Sequence, residues 1–81
     1  MTPLENSESR IKMAIAKVFH KPVSEISRDT RFVADLFAKS INTIELIAIL
    51  DYEFDIKIPR AQARRAKTVG EAIDLIEGLI K

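Results

Sequence analysis

The sequence has no cysteine and only one histidine, His20. Disulfides, thiol chemistry and cysteine zinc sites are therefore excluded, and a single imidazole cannot build a metal site alone. No apolar run is long enough to span a bilayer, and the first ten residues lack the apolar core of a secretory signal. We expect a cytoplasmic monomer that holds no metal and does not insert into a membrane.

The net charge is also small, since thirteen Lys and Arg stand against twelve Asp and Glu, a formal charge of +1. This total gives no reason to expect nucleic acid as a partner. The charges are nevertheless separated along the chain. An acidic run holds Glu45, Asp51, Glu53 and Asp55, and a basic run holds Lys57, Arg60, Arg64, Arg65 and Lys67. Each run is by default a solvated surface, and recognition of a charged partner is the functional alternative.

Hydrophobic periodicity predicts an all-α fold, a small bundle of three main helices plus one short helix. Residues 1–6 are expected to form a loose tail, and the first helix to begin with a cap at Asn6 or Ser7 and to run to about Phe19. Residues 20–39 are then a long ordered loop, with one helical turn at 24–26. The 81 residues, 47% of them hydrophobic, allow one domain with one modest core.

The second half of the chain supplies the other three helices. A central helix begins near Ser40 and reaches Phe54, with apolar residues on more than one side. Residues 60–67 offer only alanines as an apolar face, so they predict a helix of two turns or fewer with a slight hold on the core. The last helix begins at Thr68, because Thr68 and Glu71 have the spacing of a capping box.

Ser40 stands where the central helix begins. Unpaired backbone N–H groups and the positive end of the helix dipole favour a phosphate on a serine oxygen at this place. A serine there is either a helix cap or a modification site, and the residue pattern alone leaves both possibilities open.

Several short motifs occur in a characteristic order. They are F-V-x-D-L at 32–36, the serine at 40, T-x-E-L at 43–46, E-F-D at 53–55, I-P at 58–59 and T-V-x-x-A-I at 68–73. In this order and spacing the chain resembles the acyl carrier proteins and the related peptidyl carrier domains, from about Ile11 to Ile80.

The resemblance implies a carrier that is not an enzyme. In that family the serine receives 4′-phosphopantetheine from coenzyme A through a phosphopantetheinyl transferase, and the arm's thiol carries acyl groups as thioesters. Ser40 is the matching position. The expected partners are this transferase and acyl-transferring or acyl-modifying enzymes, in fatty-acid synthesis or in related lipid or secondary-metabolite synthesis.

Departures from the family pattern point to specialised partners. Carriers usually read D-L-G-x-D-S-L, whereas here Phe37 replaces the glycine and Lys39 the second aspartate. The Phe37 ring either lies on the surface beside the arm or closes over the core. The basic run also replaces acids that are common in the family's third segment. We therefore expect partner recognition by Phe37, Lys39, Ile41, Arg64 and Arg65. Glu45 matches the acidic recognition helix of the family, and the resemblance implies that it contacts basic partner surfaces.

Two other functions remain open at this level. One is a carrier-like adaptor domain that is never modified, in which Ser40 is only a cap. The other is a small helical nucleic-acid-binding protein that uses the basic run, although the neighbouring acids would repel phosphate. An enzyme is not expected, because no base, nucleophile and orienting group can be assembled.

Overall fold

The computed structural model describes residues 3–80, and the side chains of residues 7–80. It contains four α-helices and one 3₁₀ turn. They are α1 (Pro3–Phe19), the 3₁₀ turn (Val23–Glu25), α2 (Ser40–Phe54), α3 (Arg60–Arg65) and α4 (Val69–Leu79). The predicted all-α fold, with three main helices, one short helix and a long first loop, is confirmed. No helix in residues 3–80 is long and apolar enough to cross a membrane.

The start of α1 differs from the prediction. The helix begins at Pro3 rather than after a cap at Asn6 or Ser7, so residues 3–6 are helical and not a loose tail. Proline suits a first helical turn because its φ is already helical and its missing N–H would have no partner there. Ser7 is a buried residue inside the helix. Residues 1 and 2 of the predicted tail lie outside the described residues.

The core lies between α1, α2 and α4 and also takes residues from the connections. The buried apolar side chains are Ile11, Ile15, Val18, Ile26, Leu36, Leu46, Leu50, Ile58, Val69, Ile73 and Ile76. Within each helix they recur at helical spacing, which explains why these segments fold as amphipathic helices. Ile26 and Leu36 belong to the long first loop, so burial of these two side chains helps to keep that loop ordered.

Backbone hydrogen bonds attach the long loop to the beginning of α4. The Val69 N–H donates to the Thr30 carbonyl over 2.9 Å, and the Gly70 N–H donates to the Arg28 carbonyl over 2.8 Å. A Cβ atom on Gly70 would lie only 3.0 Å from the Arg28 carbonyl oxygen. Glycine at this position therefore permits the close approach of loop and helix.

The Arg28 side chain joins the same loop to two helices. Its guanidinium forms ion pairs with Asp74 on α4, at 2.6 Å, and with Glu8 on α1, at 3.1 Å. Because these groups are partly exposed, each ion pair adds little to the stability of the attachment.

Helix α3 is attached only weakly to the rest of the protein. It has no buried residue, and Ala63 is the member that packs against the core. Its connection to α2 is fixed by the buried side chain of Ile58, whose N–H donates to the Asp51 carboxylate over 2.9 Å. The predicted slight hold on the core is confirmed. Small alanine side chains also leave space between α3 and its neighbours.

Candidate functional site

Ser40 is the first residue of α2, and the preceding Lys39 is the N-cap. The serine is exposed, and its hydroxyl has no hydrogen-bond partner in the part of the chain that the structure describes. Ser40 thus does not cap the helix. Its oxygen is available at the positive end of a 15-residue helix, where backbone N–H groups and the helix dipole stabilise an anion.

The cap of α2 is incomplete. The Asn42 side-chain oxygen accepts the Lys39 N–H over 3.0 Å, which is one half of a capping box. The other half needs an acceptor on residue 39, and an ammonium group has none. Helix α4 has both halves, because Thr68 and Glu71 each accept the other's backbone N–H, at 3.2 Å and 3.1 Å. The capping box predicted at Thr68 is confirmed, and α2 lacks this stabilisation.

Phe37 has an unusual backbone conformation and an exposed ring. Its φ is 55°, in the left-handed region, where β-branched and bulky residues are rare. His20 and Asp55 also have positive φ, but their residue types adopt it more readily. The Phe37 side chain is 74% exposed, so the ring lies on the surface and does not close over the core. This conformation is the one in which glycine would be free of strain.

The turn before Phe37 is held by Arg31 and Asp35. The Arg31 backbone N–H donates to the Asp35 carboxylate over 2.8 Å, and the guanidinium binds both carboxylate oxygens, at 3.1 Å and 3.2 Å. Hydrogen bonds from the Arg31 side chain and backbone lower the pKa of Asp35 below its ordinary value. The turn is closed while Leu36 is buried in the core, and Phe37 is directed outward.

A partly open cavity of about 700 Å³ begins at Ser40 and extends between α2, α3, α4 and the long loop. Its apolar lining includes Phe32, Ile44, Ile47, Leu50, Ala63, Ala66 and Leu75. Ala63 of α3 and Ala66 directly after it line this space, and larger side chains at these positions would fill it. The cavity therefore offers apolar surface close to the hydroxyl of Ser40.

The opening of this cavity is positively charged. We call Lys39, Arg60, Arg64 and Lys67 the cationic rim, since all four line the cavity and are exposed. None of their side chains forms an ion pair or hydrogen bond in residues 7–80. Arg31 also lines the cavity but is paired with Asp35, and no Asp or Glu lines it.

The residues predicted to recognise partners occupy different places. Phe37, Lys39 and Ile41 lie immediately around Ser40, and Ile41 is 68% exposed. Glu45 is exposed one helical turn beyond Ile41, on the same side of α2. Arg64 lines the cavity, whereas Arg65 is exposed and does not.

The sequence did not assign Val33 and Ile44 to the site, although they are 68% and 46% exposed and line the same cavity. Arg60 and Lys67 were part of the basic run, but they were not among the residues expected to recognise partners. Their place follows from the path of the chain. The segment with α3 begins near the end of α2, where the Ile58 N–H donates to Asp51, and ends beside the long loop, where the Phe32 N–H donates to the Lys67 carbonyl. The short connection between α2 and α3 was the sequence feature from which this placement could have been predicted.

Part of the acidic run is used inside the protein. Asp51 accepts the Ile58 N–H, and Glu53 forms an ion pair with Arg10 on α1 at 2.8 Å. The Arg10 guanidinium also lies 4.4 Å from the centre of the Phe54 ring. Within residues 7–80, Glu45 and Asp55 are the members of the run whose carboxylates have no such contact.

Comparison with known families matches residues 9–76 to the family described as the phosphopantetheine attachment site. The chain belongs to this family. It is therefore a carrier domain of a non-catalytic family, and the family carries the 4′-phosphopantetheine group covalently. Carriers of this kind are modified by phosphopantetheinyl transferases and interact with enzymes that handle acyl groups.

A solved structure with the same fold is the solution structure of an apo doublet acyl carrier protein from prodigiosin biosynthesis. The two structures superpose with a TM-score of 0.79 at 24% sequence identity. The match covers 98% of this chain and 38% of the other chain. At this identity the likeness shows that the fold is shared.

The strained position of Phe37 gives a first prediction. Phe37→Gly should raise the free energy of unfolding by about 1 kcal/mol, because glycine adopts the left-handed conformation without the Cβ clash. Phe37→Ala is the matched control, since it removes the ring but keeps Cβ and should change stability by less than about 0.5 kcal/mol. Urea unfolding of the three proteins measures both values. Equal stability of the glycine and alanine variants would show that the backbone at residue 37 is not strained by a Cβ atom.

The incomplete cap gives a second prediction. Lys39→Asp should stabilise the unmodified protein by roughly 0.5–2 kcal/mol, because aspartate accepts first-turn N–H groups and its charge suits the helix dipole. Lys39→Ser should recover the cap without the negative charge, and Lys39→Ala should only remove the like charge. Thermal unfolding should therefore rank stability as Asp, Ser, Ala and wild type. An aspartate variant no more stable than wild type would show that this end of α2 needs no cap.

Proposed function

We propose that Ser40 is the attachment site of the 4′-phosphopantetheine arm and that the protein carries acyl groups as thioesters on this arm. The observation that carries the proposal is the place of the Ser40 hydroxyl, exposed and unbonded at the start of α2 and at the edge of the cavity. Among the serines of residues 7–80, Ser40 alone begins a helix and lines this cavity.

The attachment reaction uses the serine as a nucleophile and coenzyme A as the donor. The Ser40 oxygen forms a bond to phosphorus, the pyrophosphate bond of coenzyme A breaks, adenosine 3′,5′-bisphosphate leaves, and the hydroxyl proton is released. The resulting phosphodiester would lie at the positive end of α2. Lys39 is adjacent in sequence and would pair with the phosphate, which would partly compensate for the acid that the family has at this position.

Carrying the cargo requires little from the protein. A flexible arm keeps the thioester at a high effective concentration near successive enzymes, so one attachment point and a recognisable surface are sufficient. In this chain that surface includes an exposed Phe37 and a cationic rim. These features support specialised partners, in fatty-acid, related lipid or secondary-metabolite synthesis.

The test of the attachment site is the mass of the protein. Wild-type protein incubated with coenzyme A, magnesium and a general-purpose phosphopantetheinyl transferase should gain the mass of one arm. Ser40→Ala should gain nothing and remain folded, with a loss of stability below about 1 kcal/mol because Ser40 is not the cap. Thr43→Ala is the matched control and should still be modified. Full modification of Ser40→Ala would contradict the proposal. Wild-type protein that is isolated from its own cells without the arm would instead favour the carrier-like adaptor that is never modified.

The cavity supports a further part of this function, the shelter of the acyl chain. Apolar side chains line it and Ser40 lies at its edge, so a chain on the arm can fold back and leave water. Each methylene buried in this way contributes about 0.8 kcal/mol.

Filling the cavity tests this shelter. An acyl chain of eight or so carbons on the arm should raise the melting temperature above that of the unacylated form, because cargo bound to the native state stabilises it. Ala63→Leu should remove most of this increment by occupying the space. Ala61→Leu is the matched control, since Ala61 lies on the same helix but is exposed and does not line the cavity. Equal increments in all three proteins would show that the chain stays in solvent.

A further inference from the structure

Four apolar side chains are exposed around Ser40. We call Val33, Phe37, Ile41 and Ile44 the apolar patch, with exposures of 68%, 74%, 68% and 46%. Phe37 and Val33 are joined by a backbone hydrogen bond of 3.1 Å, and Ile41 and Ile44 are neighbours on one side of α2. Val33 and Ile44 line the same cavity. The patch is therefore made by both the loop and the helix that flank the serine.

The backbone strain at Phe37 indicates that the patch has a use. The residue has a left-handed φ, and its ring is mostly in water, so it stabilises neither the local backbone nor the core. Residues held in such conformations concentrate at functional sites, where the rest of the fold maintains them. Large aromatic side chains are also the usual anchors of protein interfaces. The ring is thus suited to insertion into a pocket of another protein.

Among the described residues that line the cavity beside the apolar patch, the charged side chains are all basic, and the acidic Glu45 lies outside the cavity, beside Ile41. Within residues 7–80 the four side chains of the cationic rim have no ion-pair partner, unlike Arg10, Arg28 and Arg31, which pair with acids. Four unpaired positive charges therefore lie at the cavity that opens beside Ser40. A partner surface that is apolar at its centre and acidic at its edge is the complement of this arrangement.

We propose that this face docks an acidic protein, with the Phe37 ring in an apolar pocket and the partner's carboxylates against the cationic rim. The inference rests on the proposed function, because the partner is an enzyme that acts on the group carried by Ser40. An acidic protein fits better than a nucleic acid or an anionic membrane. A polyanion presents negative charge along its whole surface and would meet the exposed Glu45 beside Ile41, whereas a protein can place its carboxylates against the cationic rim alone.

The experiment begins by identifying the partner in the cells that produce the protein. A photo-crosslinking amino acid at Val33, which leaves Phe37 intact, should attach to an acyl-handling enzyme within a segment rich in Asp and Glu. The purified enzyme and the arm-bearing carrier are then used for binding measurements at low and high salt. The arm is verified by mass, so that failure of the attachment and failure of the docking are distinguished.

Charge variants test the cationic rim. Arg64→Glu combined with Lys67→Glu should weaken binding at low salt by roughly tenfold or more, with a smaller loss at high salt, because the attraction is screened. Lys17→Glu combined with Lys21→Glu changes the total charge equally, but at residues outside the cavity, and should weaken binding less than about twofold. Reversal of a crosslinked acid on the enzyme to Lys should restore affinity for the rim variant.

Ring variants test the apolar patch. Phe37→Gly and Phe37→Ala should each weaken binding by about tenfold or more, as expected for an interface anchor. The glycine variant should do so while it melts at a higher temperature than wild type, a combination that general damage to the fold would not produce.

Several outcomes would overturn this docking. One is a basic crosslinked segment together with a larger effect of Glu45→Lys than of the rim variant. Another is no protein crosslink from a carrier shown by mass to bear its arm. A third is rim-dependent binding to oligonucleotides or to vesicles containing phosphatidylserine at the same salt, with no acidic protein bound.

Discussion

The attachment of the long first loop to the beginning of α4 is the constraint on which the site depends. Two backbone hydrogen bonds to Val69 and Gly70 fix the loop there, and Gly70 has no Cβ to prevent the approach. The backbone before α2 is further constrained because Leu36 is buried in the core and Arg31 is ion-paired with Asp35. In this arrangement Phe37 has a left-handed conformation with its ring in water, and Ser40 is the first residue of α2.

At three places around Ser40, the protein has residues that make it less stable than other residues would in the same fold. The N-cap is a lysine that cannot accept a hydrogen bond, residue 37 has a Cβ where glycine is preferred, and the small side chains of Ala63 and Ala66 line the cavity. Each lies beside the serine rather than in the α1–α4 core. Stability is commonly sacrificed in this way where a surface must bind or a segment must yield. We interpret their coincidence as the mark of one functional face, whose centre is the attachment site.

Local patterns in the sequence were sufficient for most of the fold. Helical periodicity and the Thr68–Glu71 capping box predicted α2 and α4, because neighbouring residues determine these features. The start of α1 was placed too late, since Asn6 and Ser7 have the chemistry of caps although Pro3 begins the helix. Tertiary contacts could not be predicted from local patterns. Glu53 pairs with Arg10, which is 43 positions away in the sequence, and α3 contributes cationic side chains to the cavity that Ser40 also lines. The outward direction of Phe37 depends on a backbone angle, which residue types alone do not determine.

Whether Ser40 bears the arm is measured by locating the arm on protein isolated from the cells that produce it. Trypsin cleavage after Lys39 and Lys57 yields a peptide of residues 40–57, which contains the hydroxyl groups of Ser40, Thr43 and Tyr52. Fragmentation by a method that preserves phosphodiesters assigns the added mass to one of them. We expect phosphopantetheine on Ser40. An arm on any other residue, or an unmodified peptide from cells with an active transferase, would show that Ser40 is not the attachment site.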